Sequence, residues 1–105
     1  MAQAINMYED RGWESAAGYP AGARRKILRD EHGIRTMLLK IPKGFHMASH
    51  AHVYHEQHIV LDGEYESEGI VFPSGTYRMV PARQNHGPFT SKTGAILLVM
   101  WDPIG

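Results

Sequence analysis

The residues best suited to chemistry are crowded into one short stretch. Five of the seven histidines lie between His46 and His58. Within that stretch, His50 and His52 are separated by a single residue, and Glu56 follows. In an extended strand, side chains two apart face the same side, so the imidazoles of His50 and His52 can reach one point. Glu56, after a short bend, can add a carboxylate oxygen. Neutral imidazole and carboxylate together ligate Zn, Fe, Mn, Ni and Cu ions. The competing reading is a loop of solvated histidines, since histidine is also a common surface residue. The segment is internal and interleaved with Phe45, Val53, Ile59, Val60 and Leu61, which argues against a tag.

His58 shares the face of Glu56 by the same period of two and is expected to point inward. There it can orient Glu56, serve as catalytic general acid or base, or sit in the core bonded to a buried carbonyl. His46 and His55 are expected at the surface, and His32 in a hairpin loop. Arg78 reads either as a solvated strand-face arginine or, turned inward, as a planar fork for a substrate carboxylate. Gln84 and Phe89 are candidates for a pocket wall through their nearness in sequence to His86. Trp101 is expected to pack in the core.

A scaffold of strands must position these groups. A chain of 105 residues fits one domain. The expected organisation is an N-terminal arm over residues 1–23, with Trp13 as a packing anchor, and a barrel over 24–102. Arg24 to Asp30 reads as a strand, Glu31-His32-Gly33 as a hairpin loop and Ile34 to Ile41 as the return strand. Strands are also expected around His50-Ala51-His52-Val53, over Glu56 to Leu61, Ile70 to Phe72 and Thr76 to Val80, and over Ala95 to Trp101. Asp62-Gly63 is the strongest hairpin-turn signal, because a type I′ turn needs φ > 0 at both central residues. Short strands every 8–12 residues or so, divided by Gly and Pro, indicate an all-β antiparallel sandwich or barrel. No long window places apolar residues at helical spacing. Asp62, Glu64, Glu66 and Glu68 read as a solvated face that blunts edge pairing rather than a cation site. Arg24, Arg25 and Lys26 read as surface charges.

Composition excludes several function classes. Eleven basic and eleven acidic residues balance, so no long-range attraction to nucleic acid or anionic membrane is expected. There is no cysteine, which removes disulfides, thiolate catalysis and sulfur-ligated metals. The N-terminus lacks the basic start and apolar core of a signal peptide. The run Ala95 to Trp101 falls far short of the roughly 20 residues that span a bilayer. A cytoplasmic location fits these features, and a homodimer is expected from the small core and the loose arm.

The wider spacing is Gly44-x5-His50-x-His52-x3-Glu56-x6-Gly63, then Gly75-x5-Pro81-x4-His86. This resembles the two motifs of the cupin family. The departures are Arg83, where the family usually has glycine, and Thr90, where it often has asparagine. Glycine supplies φ > 0 cheaply, and Asn85 is the residue expected to take over that conformation. The resemblance covers residues from about 34 to 101. It implies a small antiparallel β-barrel or jelly roll, with His50, His52, Glu56 and His86 holding one divalent metal in its wider mouth. Val60-Leu61-Asp62-Gly63-Glu64-Tyr65, Gly75-Thr76-Tyr77-Arg78 and His86-Gly87-Pro88-Phe89 look most like the branch with ChrR-type zinc cupins and diketone or hydroxyacetophenone dioxygenases.

What the resemblance implies for function is a metal-dependent enzyme acting on a small enolisable carbonyl or carboxylate compound. A non-haem Fe(II) dioxygenase leads, and an isomerase, decarboxylase or lyase using Zn, Mn or Ni is the redox-independent form. A non-enzymatic sensor module, like the anti-sigma zinc cupin, is the alternative from another class.

Overall fold

β-branched and apolar runs broken by Gly and Pro fold here into strands. The computed structural model describes residues 4–51 and 54–102. Among these are nine strands and no helix: β1 (Glu14–Ser15), β2 (Arg24–Glu31), β3 (Ile34–Ile41), β4 (Phe45–Met47), β5 (His55–Ser67), β6 (Ile70–Pro73), β7 (Tyr77–Val80), β8 (Phe89–Ser91) and β9 (Ala95–Asp102). All pairings are antiparallel. The strand order is β1-β2-β3-β9-β5-β8-β4, with β6 and β7 also on β5. The result is an all-β curled sheet, a small antiparallel barrel.

β5 organises this barrel. Its first half pairs with β9 and β7, and its second half with β6 and β8. The expected turn at Asp62-Gly63 does not form. β5 runs through it, pairing Asp62 with Ile96 and Gly63 with Ala95. The hairpin turn lies instead at Glu68-Gly69, with φ of 56° and 78°, the signs a type I′ turn needs. Gly63 serves close approach: a Cβ there would lie 2.1 Å from the Gly94 carbonyl oxygen. Beside it the register slips between Val60 and Asp62, a β-bulge that adds one residue to β5.

The bulge changes which side chains face inward. Before it, Glu56, His58 and Val60 are buried; after it, Tyr65 and Ser67 are. The acids at 62, 64, 66 and 68 are thereby left off the buried phase. The core beneath β5 is Met37, Leu39, Ile41, Phe45, Phe89, Leu97 and Val99. Each such apolar side chain contributes roughly 1.5–3 kcal/mol when fully buried.

The hairpin from β2 to β3 turns on His32-Gly33, both at positive φ. Of the strand expected over residues 50–53, His50 forms an isolated bridge to His86 and Ala51 belongs to no strand, while residues 52 and 53 lie outside the described residues. Lys26 is not a surface charge. It is 4% exposed, donates to the Glu9 carbonyl and lies 5.1 Å from the Trp13 ring centroid. This cation–π contact ties the N-terminal arm down, while β1 pairs with β2. No helix among the described residues is long and apolar enough to cross a membrane.

Candidate functional site

The loops at one end of the barrel bring the histidine-rich segment and the loop before β8 together. His50 and His86 exchange both backbone hydrogen bonds, at 2.9 and 2.8 Å. The ring of His86 is buried and its Nε2 lies 2.6 Å from the Pro81 carbonyl oxygen. His50 places Nδ1 3.2 Å from the Ala48 carbonyl oxygen. A carbonyl only accepts, so each ring nitrogen in these contacts carries the proton. In neutral rings the lone pairs then fall on Nε2 of His50 and Nδ1 of His86. Metal-ligating histidines usually donate their other N–H to such an oxygen.

Glu56 stands on the inward face of β5 and is 5% exposed. His50 and Glu56 line both a cavity of about 30 Å³ inside the barrel and a mouth cleft of about 490 Å³. Tyr19 and Met47 line both spaces as well. One water needs roughly 10–15 Å³, so the inner cavity has room for a water or an ion and the cleft for a small molecule. Phe89 lines the inner cavity, its ring 5.6 Å from that of His50. Trp101 packs against the core from its edge and also lines the cleft, covered by the Arg35 guanidinium at 4.8 Å and the Tyr54 ring at 5.7 Å.

The donor set suits a metal in kind: two imidazoles whose second nitrogens face carbonyls, and one buried carboxylate. Among the described residues, no group of three or more His, Asp or Glu side chains forms a metal cluster. His52, the remaining ligand implied by the resemblance, lies outside the described residues.

His58 is buried beside Glu56, with Nε2 3.0 Å from Oε1. Its Nδ1 lies 3.1 Å from the Tyr65 hydroxyl. The Arg78 guanidinium donates to the same hydroxyl at 3.3 Å, approaches Glu68 at 3.6 Å and lies 4.6 Å from the Phe72 ring centroid. Arg78 therefore faces these groups rather than either cavity. Gln84 is exposed and lines neither space. His46 is exposed on β4, and His55 accepts a hydrogen bond from the Ala82 N–H.

Tyr19 was hidden from sequence reasoning. It sits in a Gly- and Pro-rich segment with no period to place it, yet the turn hydrogen bonds around Ala16 and Ala23 fold that segment over the mouth. Burial pushes the Tyr19 phenol well above its usual value, and the charge of Glu56 pushes the same way. Burial likewise raises Tyr65, opposed by the hydrogen bond from Arg78. Arg83 adopts φ of 62° itself, so Asn85 does not take over the glycine conformation. Thr90 lies on β8 and donates to Glu66 at 3.4 Å, away from the site.

A family model described as the ChrR cupin-like domain matches residues 2–104. Among solved structures, an RmlC-like cupin from Shewanella frigidimarina is 26% identical, with a TM-score of 0.76 over 99% of this chain and 96% of that one. A chain of the Rhodobacter sphaeroides SigE complex with the anti-sigma ChrR is 28% identical, with a TM-score of 0.75. It is matched over 90% of this chain, which spans only 51% of that one. An acetylacetone dioxygenase from Acinetobacter johnsonii is similar in fold, with a TM-score of 0.78 at 16% identity, over 96% and 74% of the two chains. No curated protein matches at a significant level.

Proposed function

Because the chain belongs to the ChrR cupin-like family, we propose that it is a metal-dependent enzyme for a small enolisable carbonyl or carboxylate compound, with a non-haem Fe(II) dioxygenase as the leading form. The observation that carries this reading is the position of His50 and Glu56. Both border the inner cavity and the mouth cleft at once, so an ion held there would face a space of substrate size.

His50, His52, Glu56 and His86 are the residues that would hold the ion. A divalent ion at this place would supply Lewis acidity and, as iron, a redox couple. The chain supplies the rest. Glu56 brings negative charge that partly offsets the ion. Tyr19 stays protonated through the neutral range and can donate a hydrogen bond to a substrate oxygen at the mouth. Met47 and Trp101 give the cleft apolar walls that limit water.

The test is anaerobic loading with Fe(II), followed by oxygen uptake with a panel of 1,3-diketones and hydroxyketones. Uptake is expected with at least one, and none at all would sink the dioxygenase form. Turnover with Zn, Mn or Ni in the absence of air would select the isomerase, decarboxylase or lyase form instead. Glu56→Gln is expected to weaken ion binding by at least about tenfold, because even indirect partners of ligands cost that much. Calorimetric titration with Zn(II) measures it.

A sensor module is the second reading, favoured by the likeness to a chain of the SigE complex with ChrR. Zn-dependent capture of a sigma factor, with no turnover across the panel, would put this reading first.

A further inference from the structure

Four side chains form one hydrogen-bonded line: Arg78, Tyr65, His58 and Glu56. Its direction follows from what each group can do. Arginine has N–H donors and no acceptor, so the contact of Arg78 with Tyr65 runs from guanidinium to phenolic oxygen. The phenol has one proton of its own, and the ring nitrogen near it is His58 Nδ1 at 3.1 Å. If the phenol donates there, Nδ1 carries the lone pair and Nε2 carries the proton. Nε2–H then donates to Glu56 Oε1 at 3.0 Å, which is what an ionised carboxylate requires.

The opposite tautomer fails twice. It would set an Nε2 lone pair against a carboxylate oxygen. It would also give the phenol two donors and leave its own O–H without this acceptor, in a residue only 2% exposed. Such unmade buried hydrogen bonds are costly. A doubly protonated ring meets the second objection as well.

We propose that Tyr65 and Arg78 are positioning residues that lock His58 as its Nε2–H tautomer and, through it, fix the Glu56 carboxylate. The line is a clamp and not a proton path to solvent, because its outer member is a guanidinium that keeps its protons. Arg78 is thereby committed to Tyr65, not to a substrate carboxylate. The bulge makes the line possible. Tyr65 is seven residues from His58, an odd separation that unbroken alternation would send to the opposite face.

Only the consequence for ion binding rests on the function proposed above; the tautomer stands independently. The experiment uses metal-free, histidine-labelled protein and long-range proton–nitrogen NMR, with the His58 signals assigned by their loss in His58→Gln. Nδ1 is expected to be pyridine-type and Nε2 pyrrole-type. Tyr65→Phe keeps the ring against Phe72 and Phe89 and removes the hydroxyl. It is expected to move the ring toward Nδ1–H and to weaken Zn(II) binding about 10- to 100-fold. Arg78→Met, at the outer end, is expected to act in the same direction but less.

An Nδ1–H or doubly protonated ring in the wild type would overturn the proposal. So would ring signals unchanged in both variants. A wild type that shows the Nε2–H form, loses it in Tyr65→Phe and binds no Zn(II) would support the clamp while removing the metal function.

Discussion

The two halves of β5 carry different work on one strand. Upstream of the bulge, the inward face presents Glu56 and His58 to a barrel that opens into a cleft of about 490 Å³. Downstream, it presents Tyr65 and Ser67, and Tyr65 packs against Phe72 and Phe89 at ring distances of 5.3 and 6.1 Å. Polar groups collect where the barrel is open, and aromatic packing closes the rest. The single extra residue between Val60 and Asp62 divides them. It also lets the packed half reach back, since Tyr65 turns inward beside His58. The polar end therefore depends on the register of the apolar end.

Gly63 is the place to break that division with the largest effect. Its φ of 70° disfavours any Cβ, and the Cβ itself would meet a backbone carbonyl oxygen at 2.1 Å. Strand β9 must move away, or β5 must leave its register. Gly63→Ala is expected to destabilise the fold by at least about 3 kcal/mol, combining left-handed backbone strain with overpacking. Urea unfolding followed by tryptophan fluorescence measures it. A cost below roughly 1 kcal/mol would show that the two halves of β5 are not held by this contact.

Gly63 also marks where the sequence was legible and where it was not. The hairpin from β2 to β3 and the closing strand β9 could be read from β-branched runs and their punctuation, because local alternation decides them. Asp62-Gly63 looks locally like a turn, but glycine meets a second demand there, close packing against another strand. That demand comes from Gly94, more than thirty residues away, and no local pattern carries it. β4 and β8 have three residues each, too few to display a period. At the site, spacing brought His50 and Glu56 toward one point, the resemblance to the cupin motifs added His86, and the structure pairs the backbones of His50 and His86. Tyr19 lacked any signal, because its place is set by turns in the arm.

Both ends of the barrel carry a buried phenol that answers to alkali, Tyr19 at the mouth and Tyr65 in the packed half. For Tyr19 the folded protein holds the phenolic proton more tightly than the unfolded chain does. Stability from this group is full below the unfolded pKa, near 10, and is lost as pH rises beyond it. The loss is at most about 1.4 kcal/mol per pH unit for one proton. Tyr65 acts in the same direction. Tyr19→Phe is thus expected to flatten the fall in unfolding free energy between pH 10 and 11 without abolishing it. An unaltered slope would mean that Tyr19 is not shielded from water at the mouth.

A smaller change sharpens the same contrast from the loop beside the site. Arg83 holds φ of 62° in the segment between β7 and His86. That conformation costs a non-glycine residue on the order of 1 kcal/mol. Its side chain is exposed, so removing it sacrifices little packing. Glycine takes this conformation freely but raises the entropy of the unfolded chain, and the two terms partly cancel. Arg83→Gly is expected to stabilise the protein by up to about 1 kcal/mol, measured by the same urea titration. A loss would mean that the guanidinium makes contacts worth more than the strain it imposes. In that case the open end would be held by charge at its rim rather than by backbone geometry alone.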